Sequence, residues 1–117
     1  WPGETPFEIA VGAILTQNTA WKNVEKAINN LKRANLLTPQ ALYELPYAYL
    51  IQLIRPAGFF NVKAKRLKHF LHFLFNEYKG NLEKMFAEDT DALREKLLRV
   101  PGIGPETADS ILLYAGN

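Results

Sequence analysis

The chain contains no cysteine. This absence excludes disulfides, a thiolate nucleophile and any iron–sulfur cluster within these residues, and it predicts a cytoplasmic protein of the cell interior. No apolar run approaches the roughly 18 residues that a transmembrane helix requires, so we expect no membrane partner. The opening residues, Trp1-Pro2-Gly3-Glu4, have neither an initiator methionine nor a basic segment. We therefore expect an interior cut point there rather than a signal peptide.

The net charge is small, but the charged residues are unevenly distributed along the chain. The net charge of +2 identifies no partner by itself. Between Arg55 and Lys79, however, six residues are basic and only Glu77 is acidic. Such a basic run is typical of contact with nucleic-acid phosphates, but it also occurs on solvated helix faces. The distribution leaves both interpretations open.

Hydrophobic periodicity predicts helices along the whole sequence, and strand-like alternation is absent from it. Thr38-Pro39 is typical of a helix start, and Gly80 is typical of a stop. Asn61 is a candidate cap for the longest helix. We therefore predict an all-α fold, a compact multi-helix globule that is monomeric and consists of a single helical core domain over residues 1–117. The predicted helices cover residues 6–16, 20–33, 39–44, 47–55, 62–79, 91–99 and 105–115.

The most specific pattern in the sequence is Leu97-Leu98-Arg99-Val100-Pro101-Gly102-Ile103-Gly104-Pro105-Glu106-Thr107-Ala108-Asp109. It predicts a helix-hairpin-helix over about residues 91–115. Gly102 and Gly104 can adopt positive φ and admit another backbone, and Ile103 can anchor the turn in the core. The turn amides would then face outward and suit a DNA phosphate. A glycine-rich turn of this kind also occurs in ordinary helical hairpins.

Two upstream segments extend this pattern. They are Ala13-Ile14-Leu15-Thr16-Gln17-Asn18-Thr19 and Gly58-Phe59-Phe60-Asn61-Val62-Lys63-Ala64. With the hairpin they give the chain, over almost its whole length, a resemblance to the helix-hairpin-helix DNA glycosylase superfamily that includes endonuclease III. The resemblance implies double-stranded DNA as the partner, with a damaged base that is extruded from the duplex. It also implies that Gln17 fills the gap in the DNA stack and that the hairpin carbonyls can hold a monovalent cation.

The second segment supplies further DNA-binding candidates. Lys63 belongs to the Gly-aromatic-x-x-x-Lys-Ala element of the family, and Phe59 or Phe60 can wedge the opposite strand. Either aromatic ring also suits core packing. His69 and His72 lie on the predicted long helix, but no third ligand is evident, so we expect surface histidines and no metal site.

The sequence departs from the family pattern at Glu106. Bifunctional members carry a lysine at this position, which attacks the sugar as a Schiff-base nucleophile. A carboxylate cannot form that imine, so we expect no β-lyase activity. The resemblance also implies a catalytic aspartate farther along, beyond Asn117. We therefore expect a core that is incomplete at both ends, contains no catalytic residue and is inactive when taken alone.

The tryptophans indicate a branch of the family. Trp1-Pro2 before the first helix, together with Glu106, resembles the endonuclease III relatives that remove alkylated purines such as 3-methyladenine. Those enzymes hold an electron-poor base between aromatic rings, and Trp1, Pro2 and Trp21 are the candidate pocket. Trp21 also fits the apolar stripe of its own helix, and Trp1 can be disordered at a terminus. Two other functions stay open: a non-catalytic helix-hairpin-helix module that grips duplex DNA, and a glycosylase for oxidised pyrimidines.

Overall fold

The computed structural model describes residues 5–115, with side chains through Leu113. Every regular element within these residues is helical, so the predicted all-α fold is confirmed. No helix in that part of the chain has the length and apolar character needed to cross a membrane. The elements are α1 (Pro6–Leu15), α2 (Trp21–Arg33), α3 (Pro39–Glu44), α4 (Tyr47–Ile54), a 3-10 turn (Arg55–Ala57), α5 (Phe60–Tyr78), α6 (Leu82–Phe86), α7 (Thr90–Leu98), α8 (Pro105–Ser110) and a π-helical segment (Ile111–Ala115).

Helix α1 lies at the centre of the fold, and nearly all of its residues are buried. Thr5 Oγ1 accepts a hydrogen bond from the Glu8 amide at 3.1 Å, and Pro6 occupies the first turn, so the start of the helix is fixed. Glu8 is a buried carboxylate of this helix, and it pairs with Lys32 of α2 at 3.0 Å. Helix α1 contacts α2, α5, α8 and the π-helical segment. This packing holds the loop that follows Leu15 at one place on the surface.

Helix α5 runs through the core and begins two residues earlier than the sequence predicted. Gly58 and Phe59 both have positive φ, at 72° and 46°, and the helix starts immediately after them. The expected cap at Asn61 is therefore wrong, because Asn61 already lies inside the helix. The predicted stop is confirmed: Gly80 has φ 80°, and its amide donates to the Leu74 carbonyl at 3.1 Å.

Other elements also differ from the predicted ranges, and α1, α2 and α7 do so by one residue at one or both ends. The five residues of α6 form a helix that the sequence pattern did not predict, and Asn81 caps it by accepting from the Lys84 amide at 3.2 Å. Helix α4 ends at Ile54 and tightens into the 3-10 turn. The predicted helix 105–115 changes to π-helical geometry after Ser110. Apart from the additional α6, these changes adjust element ends and leave the order of the predicted helices unchanged.

Candidate nucleic-acid interface

The hairpin between α7 and α8 has different backbone geometry at its two glycines. Gly102 has φ 90°, in the left-handed region that favours glycine. Gly104 is extended, with φ −92° and ψ −178°. The expectation of positive φ is therefore right for Gly102 and wrong for Gly104. Ile103 between them is 4% exposed, so it anchors the turn in the core as expected.

The outer surface of the hairpin is open to a partner. Gly102 and Gly104 are both exposed, and the turn lines a broad surface groove of about 810 Å³ together with Gln17 and Arg66. Asp109 of α8 accepts from Arg94 Nε of α7 at 2.8 Å, an ion pair that ties the two hairpin helices together. Its hydrogen bond to Arg94 lowers the pKa of the Asp109 carboxyl. The hairpin is thus a turn braced by an ion pair, with both of its glycines exposed at the surface.

Gln17 lies in the loop after α1 and contacts the hairpin directly. Its Nε2 donates to Thr107 Oγ1 at 2.7 Å and to the Gly102 carbonyl at 3.3 Å. Its Oε1 accepts a hydrogen bond from Arg66 Nη1 of α5. The structure therefore brings together two of the sequence-predicted segments, that of Gln17 and that of the hairpin.

A smaller cavity of about 250 Å³ adjoins this contact. Glu106 lies at its rim beside Gln17, at the start of α8. The remaining lining residues are Ile9, Ala13, Thr16, Asn18, Thr107 and Ser110. The cavity thus has apolar walls on the side of α1 and a carboxylate on the side of α8. A carboxylate beside apolar walls suits a small group that carries a positive charge.

Lys63 is not available for phosphate contact, so the structure corrects its predicted role. The side chain is 0% exposed, and its Nζ donates to the Ala57 carbonyl at 2.8 Å. The ammonium thereby satisfies the end of the 3-10 turn. Burial, and to a lesser extent the charge of Arg66, lowers the pKa of Lys63 to about 8.

Lys68 is a second basic residue of this run whose side chain is not available to phosphate. Its Nζ donates to the carbonyls of Leu42, Tyr43 and Leu45, around the end of α3, and the residue is buried. Two of the six basic residues between Arg55 and Lys79 therefore point inward and cap other elements. Phosphate contact from this run is left to its exposed members, Arg55, Lys65 and Lys79.

The two phenylalanines at the start of α5 differ in exposure. Phe59 is 63% exposed and sits at the positive-φ position before α5. Phe60 is half-buried, with the Arg55 guanidinium 4.5 Å from its ring centroid. Lys63 Nζ lies 5.8 Å from the Phe59 centroid. Of the two rings, Phe59 is the one that projects from the surface as a wedge would.

The predicted base pocket is described only in part. Trp1 and Pro2 lie outside the described residues. Trp21 begins α2, is half-buried and packs against the core. Its side chain does not line the cavity beside Gln17.

The predicted surface histidines lie on α5. His72 packs edge-on against Tyr43 with ring centroids 5.5 Å apart. The part of the chain that the structure describes holds no group of residues arranged to bind a metal.

Sequence reasoning missed two residues at this interface. Arg66 lies outside the three motifs, and Thr107 was noted only as part of the hairpin string. Both contact Gln17, which is 49 residues from Arg66 and 90 residues from Thr107. No local pattern reports contacts over such separations. The one available signal was that the hairpin string places Thr107 on the first turn of α8.

Comparisons with known proteins agree with this geometry. A family profile described as HhH-GPD superfamily base excision DNA repair protein matches residues 11–106. A protein of Methanocaldococcus jannaschii, provisionally named as a DNA repair glycosylase, is 56% identical over 117 residues, which is 98% of this chain and 53% of that protein. Endonuclease III of Thermotoga maritima is 33% identical over 111 residues, or 95% of this chain and 47% of that protein. The chain therefore spans about half the length of these curated relatives.

Solved structures show the same likeness. The H. pylori 3-methyladenine DNA glycosylase bound to 1,N6-ethenoadenine matches with a TM-score of 0.88 and 37% identity, over 98% of this chain and 54% of that chain. A non-covalent endonuclease III–DNA complex matches with a TM-score of 0.80 and 25% identity, over 97% and 49% of the two chains. The predicted resemblance to endonuclease III-like proteins, and to the 3-methyladenine branch, is confirmed.

Proposed function

Because the chain belongs to the HhH-GPD superfamily of base excision DNA repair proteins, we propose that the intact protein is a monofunctional DNA glycosylase. Its proposed substrate is duplex DNA that contains an alkylated purine such as 3-methyladenine. This activity belongs to the whole protein, of which residues 1–117 form the helical core. We propose that this core alone binds DNA weakly and releases no base.

The position of Glu106 carries the proposal. The side chain is exposed at the rim of the 250 Å³ cavity, beside the glutamine assigned to the gap in the DNA stack. In bifunctional members of the family a lysine at this position attacks the sugar, but a carboxylate cannot form the imine needed for strand cleavage. We therefore propose base release without β-lyase chemistry. An aspartate beyond residue 117 is proposed to stabilise the cationic sugar or activate water.

The hairpin is proposed to grip the DNA backbone. The exposed turn at Gly102 and Gly104 lets a phosphate approach the backbone amides closely, without reading base identity. A monovalent cation held by turn carbonyls would bridge to the same phosphate. Phe59 supports this placement of the duplex, because its exposed ring can wedge the strand opposite the damaged base.

The base pocket is proposed to include Trp1, Pro2 and Trp21. Ring faces attract a positively charged purine by about 0.5–2 kcal/mol each beyond area burial. The Glu106 carboxylate, at the cavity beside Gln17, favours the same charge. Trp21→Ala in the full-length protein should lose 3-methyladenine release and keep duplex binding, whereas Trp21→Phe should keep both.

The deciding experiment uses full-length protein and duplexes with either 3-methyladenine or thymine glycol. Wild type should release 3-methyladenine, leave the abasic site uncut and give no adduct with borohydride, which reduces only an imine to a stable link. Glu106→Lys is the matched variant, and it should form a borohydride-trapped adduct.

Each contrary result removes a defined part of the proposal. A trapped adduct with wild type overturns the absence of lyase activity. Release of thymine glycol alone points to the oxidised-pyrimidine function instead. Duplex binding with no release of any damaged base points to a non-catalytic module.

A further inference from the structure

We infer that Arg66 is a positioning residue for Gln17: its guanidinium, presented by α5, holds the Gln17 amide against the hairpin and orders it before DNA arrives. The inference rests on the proposed function, because that function assigns Gln17 to the gap left by an extruded base. Arg66 lies outside the three motifs of the sequence, and the contact is evident only in the folded chain.

Gln17 is bonded at both ends of its amide. Arg66 donates to Oε1, while Nε2 donates to Thr107 Oγ1 at 2.7 Å and to the Gly102 carbonyl at 3.3 Å. These partners belong to α5, α8 and the hairpin turn. Three separate elements therefore converge on one half-buried side chain.

Among these partners, Arg66 determines which way the amide faces. A guanidinium has only N–H donors, so it binds the oxygen of the amide and repels its nitrogen. The Thr107 hydroxyl can donate or accept, so it fits either orientation. The Gly102 carbonyl prefers the nitrogen, but its 3.3 Å bond is long. Without Arg66 the amide would lose the strongest constraint on its orientation.

The Arg66 side chain reaches Gln17 by passing under Gly102. A Cβ at Gly102 would lie 2.3 Å from Arg66 Cγ, closer than real Cβ contacts come, and 3.0 Å from its Cδ. The missing side chain of Gly102 therefore leaves the path that Arg66 occupies. Arg66 therefore contacts two parts of the proposed interface. One is the hairpin turn at Gly102, which is proposed to hold phosphate, and the other is the loop of Gln17, which is proposed to enter the DNA stack.

Ordering Gln17 in advance reduces the conformational entropy that is lost when it enters DNA. A released glutamine would sample several rotamers and would have to be ordered during binding. We expect loss of the Arg66 bond to weaken the preference for DNA with a vacated base position by about tenfold, in line with the rotamer entropy of one long side chain. Binding to intact duplex should change little.

The first arm of the test follows the NMR signals of the Gln17 side-chain amide in the full-length protein. These signals are assigned as the ones that disappear in Gln17→Ala. Arg66→Met keeps the stem and removes the donors, and it should shift the Nε2 proton signals toward those of an exposed glutamine. Lys65→Met removes the same charge one residue away and should leave them unchanged. Unshifted signals in Arg66→Met overturn the inference, whatever the enzyme does.

The second arm measures binding to a duplex with a tetrahydrofuran abasic analogue relative to undamaged duplex. Gln17→Ala and Arg66→Met should each lower this ratio about tenfold, and the double variant should lower it no further. The slope of log affinity against log salt for undamaged duplex should stay unchanged in Arg66→Met.

Two results in this arm overturn the inference. One is additive loss in the double variant, together with a salt slope reduced by about 0.9, which would make Arg66 a phosphate contact. The other is a wild type without preference for the abasic analogue. Neither readout requires base release, so failure of the proposed glycosylase activity is recognised separately.

Discussion

Gly102 and Gly104 lie two residues apart but are needed for different reasons. At Gly102 an alanine would take φ 90° and press on Arg66 Cγ at 2.3 Å. At Gly104 the backbone is extended, and an added Cβ meets no neighbour within 4 Å. We expect Gly102→Ala to lower the free energy of unfolding by about 1–3 kcal/mol, while Gly104→Ala leaves it unchanged and weakens duplex binding.

Urea unfolding and duplex titration of both variants test this contrast. A Gly104→Ala protein that binds duplex as wild type does would show that no backbone approaches the turn there. A Gly102→Ala protein as stable as wild type would contradict the tight passage of Arg66.

Lys63 should make stability depend on pH. The unfolded chain holds this proton up to the ordinary pKa of 10.5, whereas burial lowers the pKa to about 8 in the folded protein. Between these values the unfolded state binds more protons, so the free energy of unfolding rises with pH through this group. We expect wild type to gain stability relative to Lys63→Met from pH 8 to 10.

The difference in the free energy of unfolding between wild type and Lys63→Met isolates the contribution of Lys63. Other titrating groups cancel, such as Tyr78, whose pKa is raised to about 12 mainly by burial. Urea unfolding at pH 7, 8, 9 and 10 gives the comparison. If this difference in the free energy of unfolding stays flat or falls between pH 8 and 10, the lowered pKa of the buried Lys63 ammonium would be contradicted.

Side-chain direction explains why the basic run was misleading. Counting charges along residues 55–79 treats each lysine as exposed. In the folded helix, Lys63 lies one turn before Leu67, on the buried face that continues through Phe70, Leu71 and Leu74. The sequence spacing already placed Lys63 in the apolar stripe. The acceptor it would find there depended on how the 3-10 turn packs, which no local pattern specifies.

At the scale of elements, long helices were predictable and their ends less so. The periodic pattern placed α2 and α5 because many residues repeat on one face. Phe59 in the left-handed region carries no sequence signal, since such positions usually hold glycine or asparagine. Helix α6 has five residues, too few to show a period. The family resemblance implied that Gln17 and the hairpin both contact DNA, but only tertiary packing brought Arg66 to Gln17.

The Lys68 ammonium joins α3 to α5, beside the ring contacts that Tyr43 makes with His72 and Phe75. Lys68 Nζ lies 2.6 Å from the Leu42 carbonyl and 3.2 Å from the Tyr43 carbonyl, and it also contacts the Leu45 carbonyl. Because α3 has only six residues, its own hydrogen bonds stabilise it weakly. Lys68→Met should therefore lower the free energy of unfolding by about 1–3 kcal/mol, because the part-buried Tyr43 and Leu45 carbonyls lose their donor, whereas the Leu42 carbonyl keeps the Leu45 amide.

Lys65→Met is the matched control on the exposed face of the same helix, and it should change the free energy of unfolding by about 0.5 kcal/mol or less. Urea unfolding of the two variants decides between them. If the two variants lose the same free energy of unfolding, Lys68 contributes only its charge.

At the scale of the molecule, the buried lysines also bear on DNA binding. Each phosphate that is neutralised contributes about 0.9 to the slope of log affinity against log salt. Lys63 and Lys68 are interior, so Lys63→Met should leave this slope unchanged in the folded protein. Duplex binding from low to moderate salt measures it. A slope reduced by about 0.9 would mean that Lys63 leaves the core when DNA binds.

Helix α1 is nearly all buried, and α8 with the π-helical segment forms part of its cover. Those covering residues follow α1 by some ninety positions, so on a ribosome adding roughly 5–20 residues per second they appear about 5–20 s later. During that interval α1 can pack only against α2 and α5, and the part of its apolar surface that α8 and the π-helical segment cover stays exposed. Translation speed and chaperone supply therefore bear on the yield of this protein, and a stall after α7 would favour its aggregation.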